Sequence, residues 1–524
     1  MFALKVQAAD AFWISTDNPV WENPENWSDG VVPGSTTNVI FGDRSGLADP
    51  FLSTTQQIAR VEFQNPGWTI SGPGMLCFEA SPPYSSSGGG TNIVDVDTLF
   101  LTNATISASE DSTLIVKGDV SSDGGRKVFA IGGAGTVRLE GAVSNVKDFR
   151  IQSGGTLELA MPVRMNSDFE DRIENGSTIR YFADEQCRIR WPRYGSGGLL
   201  DLNGFTQTFS GLTFAHHSTD VNFTVETGEE GKLILNSGIG YQPYSWNDRN
   251  RYGTAVIRGN LEFPKGGTIT SVEQNITNVH IKIEAAISGG GGLICRGSGT
   301  VQLTGSNTYP GDTTVARAQL GSRPNEAGLL IIDGTATETS SGIGLGALHV
   351  EPSGAVGGAG TIGYTGRTGA TLSLEGEFVA ADEEDEIEEA VFPATVTPGG
   401  IEEGSEIATL SVNGDVDFGD YSCLSIDIGE GTCDTLAVSG SISVSALGTV
   451  LQLNIPDEIE LIGDYTLAES GELTGEFSSV LINGEEFEDA TDYRSIAMTH
   501  HIGYSSDSVI LKQSPPQGTT ITIF

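Results

Sequence analysis

Basic side chains are scarce in this 524-residue chain: 27 Lys and Arg stand against 69 Asp and Glu, a formal net charge of −42. Binding nucleic acid requires neutralising phosphates with Lys and Arg, so such partners are excluded, and an anionic bilayer surface is an equally poor one. No apolar run reaches eighteen residues, so no segment spans a bilayer as a helix. Amphipathic helical periods of twelve or more residues are missing as well, and very little helix is expected.

Cysteine is sparse. The five residues Cys77, Cys187, Cys295, Cys423 and Cys433 include no CxxC pair. Only Cys423 and Cys433 are close in sequence, flanking a Gly429-Glu430-Gly431 turn. They would form one disulfide in an oxidising compartment, with buried thiols in β-strands as the alternative. Closing a loop of about ten residues contributes at most roughly 3 kcal/mol in the chain-entropy view.

Catalytic fingerprints are missing too: neither HExxH, nor a P-loop, nor a dinucleotide motif, nor a Ser–His–Asp order stands out. His216-His217 and His500-His501 are adjacent pairs whose members point to opposite faces of a strand, so neither clamps one metal.

What the chain does contain is glycine, 70 residues of it, punctuating short runs rich in Thr, Ser, Val, Ile and Leu. Residues 289–320, GGGGLICRGSGTVQLTGSNTYPGDTTVARAQL, show the design most fully. Val301 and Leu303 alternate with polar neighbours, Gly297, Gly299 and Gly305 mark the ends, and 307–311 form a turn before the next run, 313–315. Weaker copies occur at 132–139, 154–159, 198–212 and 357–362. One such unit has too few inward apolar residues for a core of its own, so stacking on neighbours must supply one. Irregular spacing between units implies loops of different length on a common coil. At roughly 20–25 residues per turn, about 18–22 turns would stack at ~4.8 Å into a rod on the order of 90–100 Å long.

Residues 285–320 resemble the autotransporter-associated β-strand repeat. Gly297-Ser298-Gly299-Thr300, Leu303, Gly305, Asn307-Thr308-Tyr309 and Gly311 match its wording position by position. Trp13, Trp21, Asn26-Trp27-Ser28, Pro33 and 38–41 resemble the opening turn of such secreted proteins. Residues 397–400, 408–412, 463–467 and 475–477 resemble their closing turns. The resemblance implies an all-β, right-handed parallel β-helix (solenoid) with irregular loop insertions and terminal caps, extracellular and of structural or adhesive use. An autotransporter would continue into a membrane barrel, for which the final stretch is too short. Ala9-Asp10-Ala11 has the small-x-small form of a signal-peptidase site, so 1–11 reads as a signal remnant or N-terminal arm. The expected organisation continues with β-helix over 12–400, acidic turns and cap over 401–513, and a linker with a short terminal strand over 514–524.

Charge is uneven. Between 368 and 493 there are 30 Asp and Glu and no Lys or Arg, which leaves 39 acids and 27 bases elsewhere. The densest run, 382–389, places Asp382, Glu383, Glu384, Asp385 and Glu386 together. Clustered carboxylates suit Ca²⁺, which takes six to eight oxygens. The competing reading is a solvated acidic loop that keeps the coil soluble, since neither the helix–loop–helix calcium pattern nor GGxGxDx repeats are present. No other cofactor is indicated.

Two aromatic–basic patches interrupt this acidity: Arg188, Arg190, Trp191, Arg193 and Tyr194, then Tyr244, Trp246, Arg249, Arg251 and Tyr252. Aromatic faces stack on sugar rings and Arg pairs with uronic or sulfated groups, which makes polysaccharide a candidate partner. Alternatively these are side loops whose Arg balances nearby Asp. At the end, 514–518 cannot continue a ladder, whereas Ile521, Ile523 and Phe524 belong to a short alternating strand that could add to the edge of another copy. The sequence therefore reads as an extracellular structural or adhesive protein without enzymatic activity, a rigid β-rod that self-assembles end to end. A carbohydrate-binding or polysaccharide-degrading β-helix, lyase or glycoside hydrolase, is the alternative.

Overall fold

A computed structural model describes residues 9–79, 81–123, 127–161, 172–173, 176–186, 193–194, 197–216, 222–243, 253–271, 279–316, 328–380, 390–399, 407–456, 459, 461–486 and 500–513. Among them the only helical element is one 3₁₀ turn, Pro24–Asn26, and the strands form long parallel ladders. The fold is a parallel β-helix. The chain divides into two compact units, the first comprising Met1–Leu235 and Pro243–Asn260, the second Asn236–Gln242 and Leu261–Phe524.

In the first unit, the strands Ser112–Val116, Thr136–Leu139, Thr156–Leu159, Ser177–Tyr181, Gly198–Asp201, Phe223–Glu226 and Ala255–Arg258 pair in parallel, one per turn. Register stacks like on like. Leu114, Val137, Leu157, Ile179, Leu200, Val225 and Ile257 form one inward column, each essentially without solvent contact. Burying such a side chain contributes about 1.5–3 kcal/mol, so the column, repeated on the other faces, holds the coil together.

The residues one position on form an outward column: Arg138, Glu158, Arg180, Asp201, Glu226 and Arg258. Ion pairs link its members, with Arg180 Nε 2.8 Å from Asp201 and Arg258 3.2 Å from Glu226. Alternation with period two thus sorts apolar from charged side chains in every turn. Turn length varies from 20 residues, Val137 to Leu157, to 32, Val225 to Ile257, because the excursions are inserted at corners.

The N-terminal end of this unit is closed by aromatic rings. Trp13, Trp21 and Trp27 are buried, with centroids 5.0 Å apart for Trp13–Trp27 and 4.8 Å for Trp21–Trp27. Trp13 and Trp21 pack on Phe41, which stacks on Phe63 at 5.3 Å. Trp27 Nε1–H donates to the Trp21 carbonyl at 2.8 Å. Residues 26–28 bond back to 12–14, Ser28 N–H reaching the Phe12 carbonyl and Ile14 N–H the Asn26 carbonyl, which pairs part of the outermost edge.

In the second unit, one face stacks Thr300–Leu303, Leu329–Ile332, Ala355–Gly358, Ala394–Pro398, Ser422–Gly429, Val450–Asn454 and Ser479–Ile482. A second stacks Gly267–Ser271, Leu293–Gly297, Thr313–Ala316, Leu348–Val350, Ala370–Leu374, Asp415–Phe418, Ser441–Val444 and Glu472–Thr474. The third, Thr361–Ile362, Thr409–Val412, Thr435–Val438 and Tyr465–Glu469, ends on an antiparallel hairpin, His500–Tyr504 with Ser508–Gln513.

The glycine-rich stretch is one turn, from Leu293 to its partner Thr313. Asn307 is wholly buried at its corner: Oδ1 accepts from Ile287 N–H at 2.9 Å and Nδ2–H donates to the Gly342 carbonyl at 2.7 Å. One side chain thereby ties three successive turns. Tyr309 follows, its hydroxyl 2.6 Å from Thr313 Oγ1 in the core.

Part of the acidity has a structural role. Carboxylates at corners accept a backbone N–H from a neighbouring turn: Asp97 from Asp119, Asp119 from Ala142, Asp312 from Ala347, Asp333 from Ala359 and Asp415 from Ser441, all at 2.8–2.9 Å. Bonds of this charge-assisted kind need an acceptor, not a base, which favours Asp over Lys or Arg at these positions.

Candidate functional site

The outer surface of the second face of unit 2 brings polar residues from separate turns into one column. Thr314 pairs with His349, His349 with Ser373, Ser373 with Asp417, and Asp417 with Ser443. Each occupies the middle of a triplet whose outer members are buried, such as Leu348-His349-Val350 and Leu372-Ser373-Leu374, these being apolar except for Thr313 beside Thr314. Alternation alone therefore fixes the outward orientation.

His349 is the centre of the column. Its Nδ1 lies 2.7 Å from Ser373 Oγ, and its Nε2 lies 3.6 Å from Asp312 Oδ2. Asp312 is held in place by its other oxygen, which accepts from Ala347 N–H at 2.8 Å. The result is a hydroxyl, an imidazole and a carboxylate in line, the order that acyl transfer uses. No Ser–His–Asp order stands out in the sequence, yet the coil assembles this one.

Beside the column runs a groove of about 460 Å³ lined by Ile294, Arg296, Thr314, Ala316, Glu351, Pro352 and Glu377. Arg296 Nε is buried there without a hydrogen-bond partner. Glu377 belongs to a two-stranded antiparallel ribbon, Glu377–Val379 with Ala390–Phe392, which leaves the coil between Ala370–Leu374 and Ala394–Pro398. Phe378 of the ribbon stacks on Tyr421 at 5.7 Å. The acidic run, with Asp382, Glu383, Glu384, Asp385 and Glu386, connects the ribbon's strands and lies outside the described residues. Among the described residues no group of three or more His, Cys, Asp or Glu converges on a metal position.

A second acidic feature is internal. Asp434 is wholly buried and Asp427 nearly so. Asp434 Oδ1 accepts from Ala408 N–H at 2.8 Å, and Asn454 Nδ2–H donates to Asp427 Oδ1 at 2.7 Å. Burial, helped by the Asp427 charge, pushes the Asp434 carboxyl up to about 6, against backbone bonds that act the other way. Folded protein then holds a proton that unfolded chain releases near pH 4, so this group's contribution is present below that pH and is lost as pH rises through 6. The melting temperature of wild type is expected to fall between pH 4.5 and 7 relative to Asp434→Asn; parallel profiles would contradict this.

The remaining sequence-derived sites divide as follows. Arg193–Tyr194 form a short strand paired with Thr213–Phe214. Arg188, Arg190, Trp191, Tyr244, Trp246, Arg249, Arg251 and Tyr252 lie outside the described residues, as do Ile521, Ile523 and Phe524. The Cys423–Cys433 bridge is corrected: both thiols are free. Cys433 sits opposite Ile428 across a tight hairpin, and Cys423 is five residues earlier on the same strand. At strand rise that is about 16 Å away, beyond disulfide reach. Burial pushes the Cys423 thiol up to about 12 and Cys433 up to about 11.

No family model matches the chain, so the repeat family named by the sequence resemblance is not confirmed. An extracellular serine protease of Serratia marcescens is 27% identical over 266 residues, covering 48% of this chain and 21% of that protein. The chain thus spans about a fifth of its relative's length. The similarity is to an exported protein, in agreement with the extracellular location read from the sequence. Among the described residues no helix is long and apolar enough to cross a membrane. The expectation of a non-enzymatic protein is corrected by the same comparison, because the relative is an enzyme.

Proposed function

We propose that this chain is a structural and adhesive section of a secreted protein, in which the coil is the scaffold and the corner excursions are the contact surfaces. The observation that carries the reading is where the chain leaves the coil. In unit 2 long connections between strands follow the second face, 272–278 after Gly267–Ser271, 317–328 after Thr313–Ala316 and the ribbon after Ala370–Leu374, and also the first, 333–347 after Leu329–Ile332 and 399–408 after Ala394–Pro398. Intervening turns close tightly after the second face, as from Leu293–Gly297 into Thr300–Leu303. Insertions placed between strands leave the apolar columns undisturbed and put the variable segments at the corners.

Polysaccharide and further copies of the chain are the proposed contacts, through the aromatic–Arg segments 188–194 and 244–252 and the terminal strand 519–524. Purified chain would be measured against alginate, pectin, heparin and chitin, and against itself by sedimentation. Replacing 188–192 and 244–252 with Gly-Ser of equal length is expected to abolish glycan retention without moving the melting temperature. Retention unchanged by the replacement, or absent for every polymer and for self-association, would contradict the proposal.

A further inference from the structure

We propose that Ser373 is a nucleophile for carboxylic esters, with His349 as its base and Asp312 as the carboxylate that positions the imidazole. This goes beyond the scaffold reading and does not depend on it. A carboxylate beside Nε2 favours the tautomer protonated there, which leaves the Nδ1 lone pair facing the Ser373 hydroxyl at 2.7 Å. The ring is hydrogen-bonded on one side and faces a carboxylate at 3.6 Å on the other, from residues of different turns, and Asp312 is fixed by the Ala347 N–H.

The step balances within these groups. Ser373 Oγ forms a bond to the acyl carbon as its proton passes to His349 Nδ1, giving a tetrahedral oxyanion. Collapse breaks the bond to the leaving oxygen, which takes the proton from His349 and departs as the alcohol. Water, deprotonated by the same nitrogen, then attacks the acyl-serine, releases the carboxylic acid and returns the proton to Ser373.

Position on the surface sets the substrate class. The side chains of His349 and Asp312 are 46% and 60% exposed, so charge developing at the acyl oxygen is stabilised in a medium close to water. Amides, with their poor leaving groups, need more help than such a face provides, whereas esters do not. The neighbouring groove offers Ile294, Ala316 and Pro352 as an apolar wall for an acyl chain.

Two probes test this on the full chain. A fluorophosphonate reacts with loss of fluoride and formation of an Oγ–P bond, and p-nitrophenyl acetate reports turnover. One adduct per chain, mapped to Ser373, and ester turnover above buffer are expected. Ser373→Ala is expected to remove both, and His349→Gln to slow labelling about 100-fold. Each variant's circular dichroism and melting temperature are checked first, and the outward position of Ser373 makes its loss benign for folding. Asp312→Asn keeps an acceptor for Ala347 N–H but removes the charge. Labelling should then slow, and Asp312→Glu, which restores the charge, should recover it, although Glu351 just past Leu348–Val350 and Asp417 one turn beyond Ser373 still carry charge near this column. If Asp312 were purely structural, Asp312→Asn, which keeps the Ala347 contact, would label at the wild-type rate. Absence of label on Ser373 in folded protein, or ester turnover that survives Ser373→Ala, overturns the proposal.

Discussion

Trp27→Ala is expected to destabilise the N-terminal end of unit 1 by about 3–5 kcal/mol, the range for emptying a large aromatic site in a core. Trp27 is 1% exposed and lies edge-on to both Trp13 and Trp21, so its removal leaves a hole between two rings that are themselves buried. The Trp21 carbonyl also loses its indole donor. Because each turn contacts mainly its neighbours, the damage should stay local. Amide exchange is the suitable readout: protection should fall first in Thr37–Phe41 and Arg60–Phe63, while Ala255–Arg258 keeps its protection. Uniform loss across the unit would argue against a stacked coil.

Gly297→Val is expected to be at least as severe, about 3 kcal/mol or more, and to act on unit 2. Gly297 has φ +105°, a conformation that β-branched residues avoid, and a Cβ there would collide with the Ser271 carbonyl oxygen. Gly299, two residues on, is excluded for a different reason: its Cβ would meet the Ser271 hydroxyl and His280 Nδ1, both side-chain atoms. A rescue experiment separates the two. Ser271→Gly should recover part of the stability lost in Gly299→Ala and none of that lost in Gly297→Ala, because the backbone obstacle remains. Equal rescue of both would show that the corner is not packed as described.

That pair of glycines also shows what was legible. The Gly-Ser-Gly-Thr run, the alternation through Leu303 and the Asn-Thr-Tyr corner are local signals, and the coil turn they specify is present with its close approaches and its buried Asn307. The Trp-rich opening was legible for the same reason, three large apolar residues within fifteen positions. Distance in sequence hid the rest. Asp312, His349 and Ser373 come from turns separated by irregular insertions, so no fixed spacing connects them. The available signal was the triplets Thr313-Thr314-Val315, Leu348-His349-Val350 and Leu372-Ser373-Leu374, which, set in register, place 314, 349 and 373 in one column. The Cys423–Cys433 pairing failed because closeness in sequence was taken for closeness in space, whereas an eight-residue strand carries the two thiols apart. Net acidity, read as surface charge, is partly an internal requirement of the corners, where Asp accepts backbone N–H groups from neighbouring turns.

Turn-by-turn register is the claim on which all of this rests, and cysteine cross-linking measures it directly. In a background with the native cysteines replaced, Arg138→Cys with Glu158→Cys joins partners on adjacent turns, whereas Arg138→Cys with Arg180→Cys skips one. Adjacent strands lie about 4.8 Å apart, within disulfide reach, and skipping a turn doubles the separation beyond it. Oxidation is predicted to close the first pair rapidly, seen as faster migration on non-reducing gels, and to leave the second open. Closure of the second pair with the first remaining open would contradict the stacked coil.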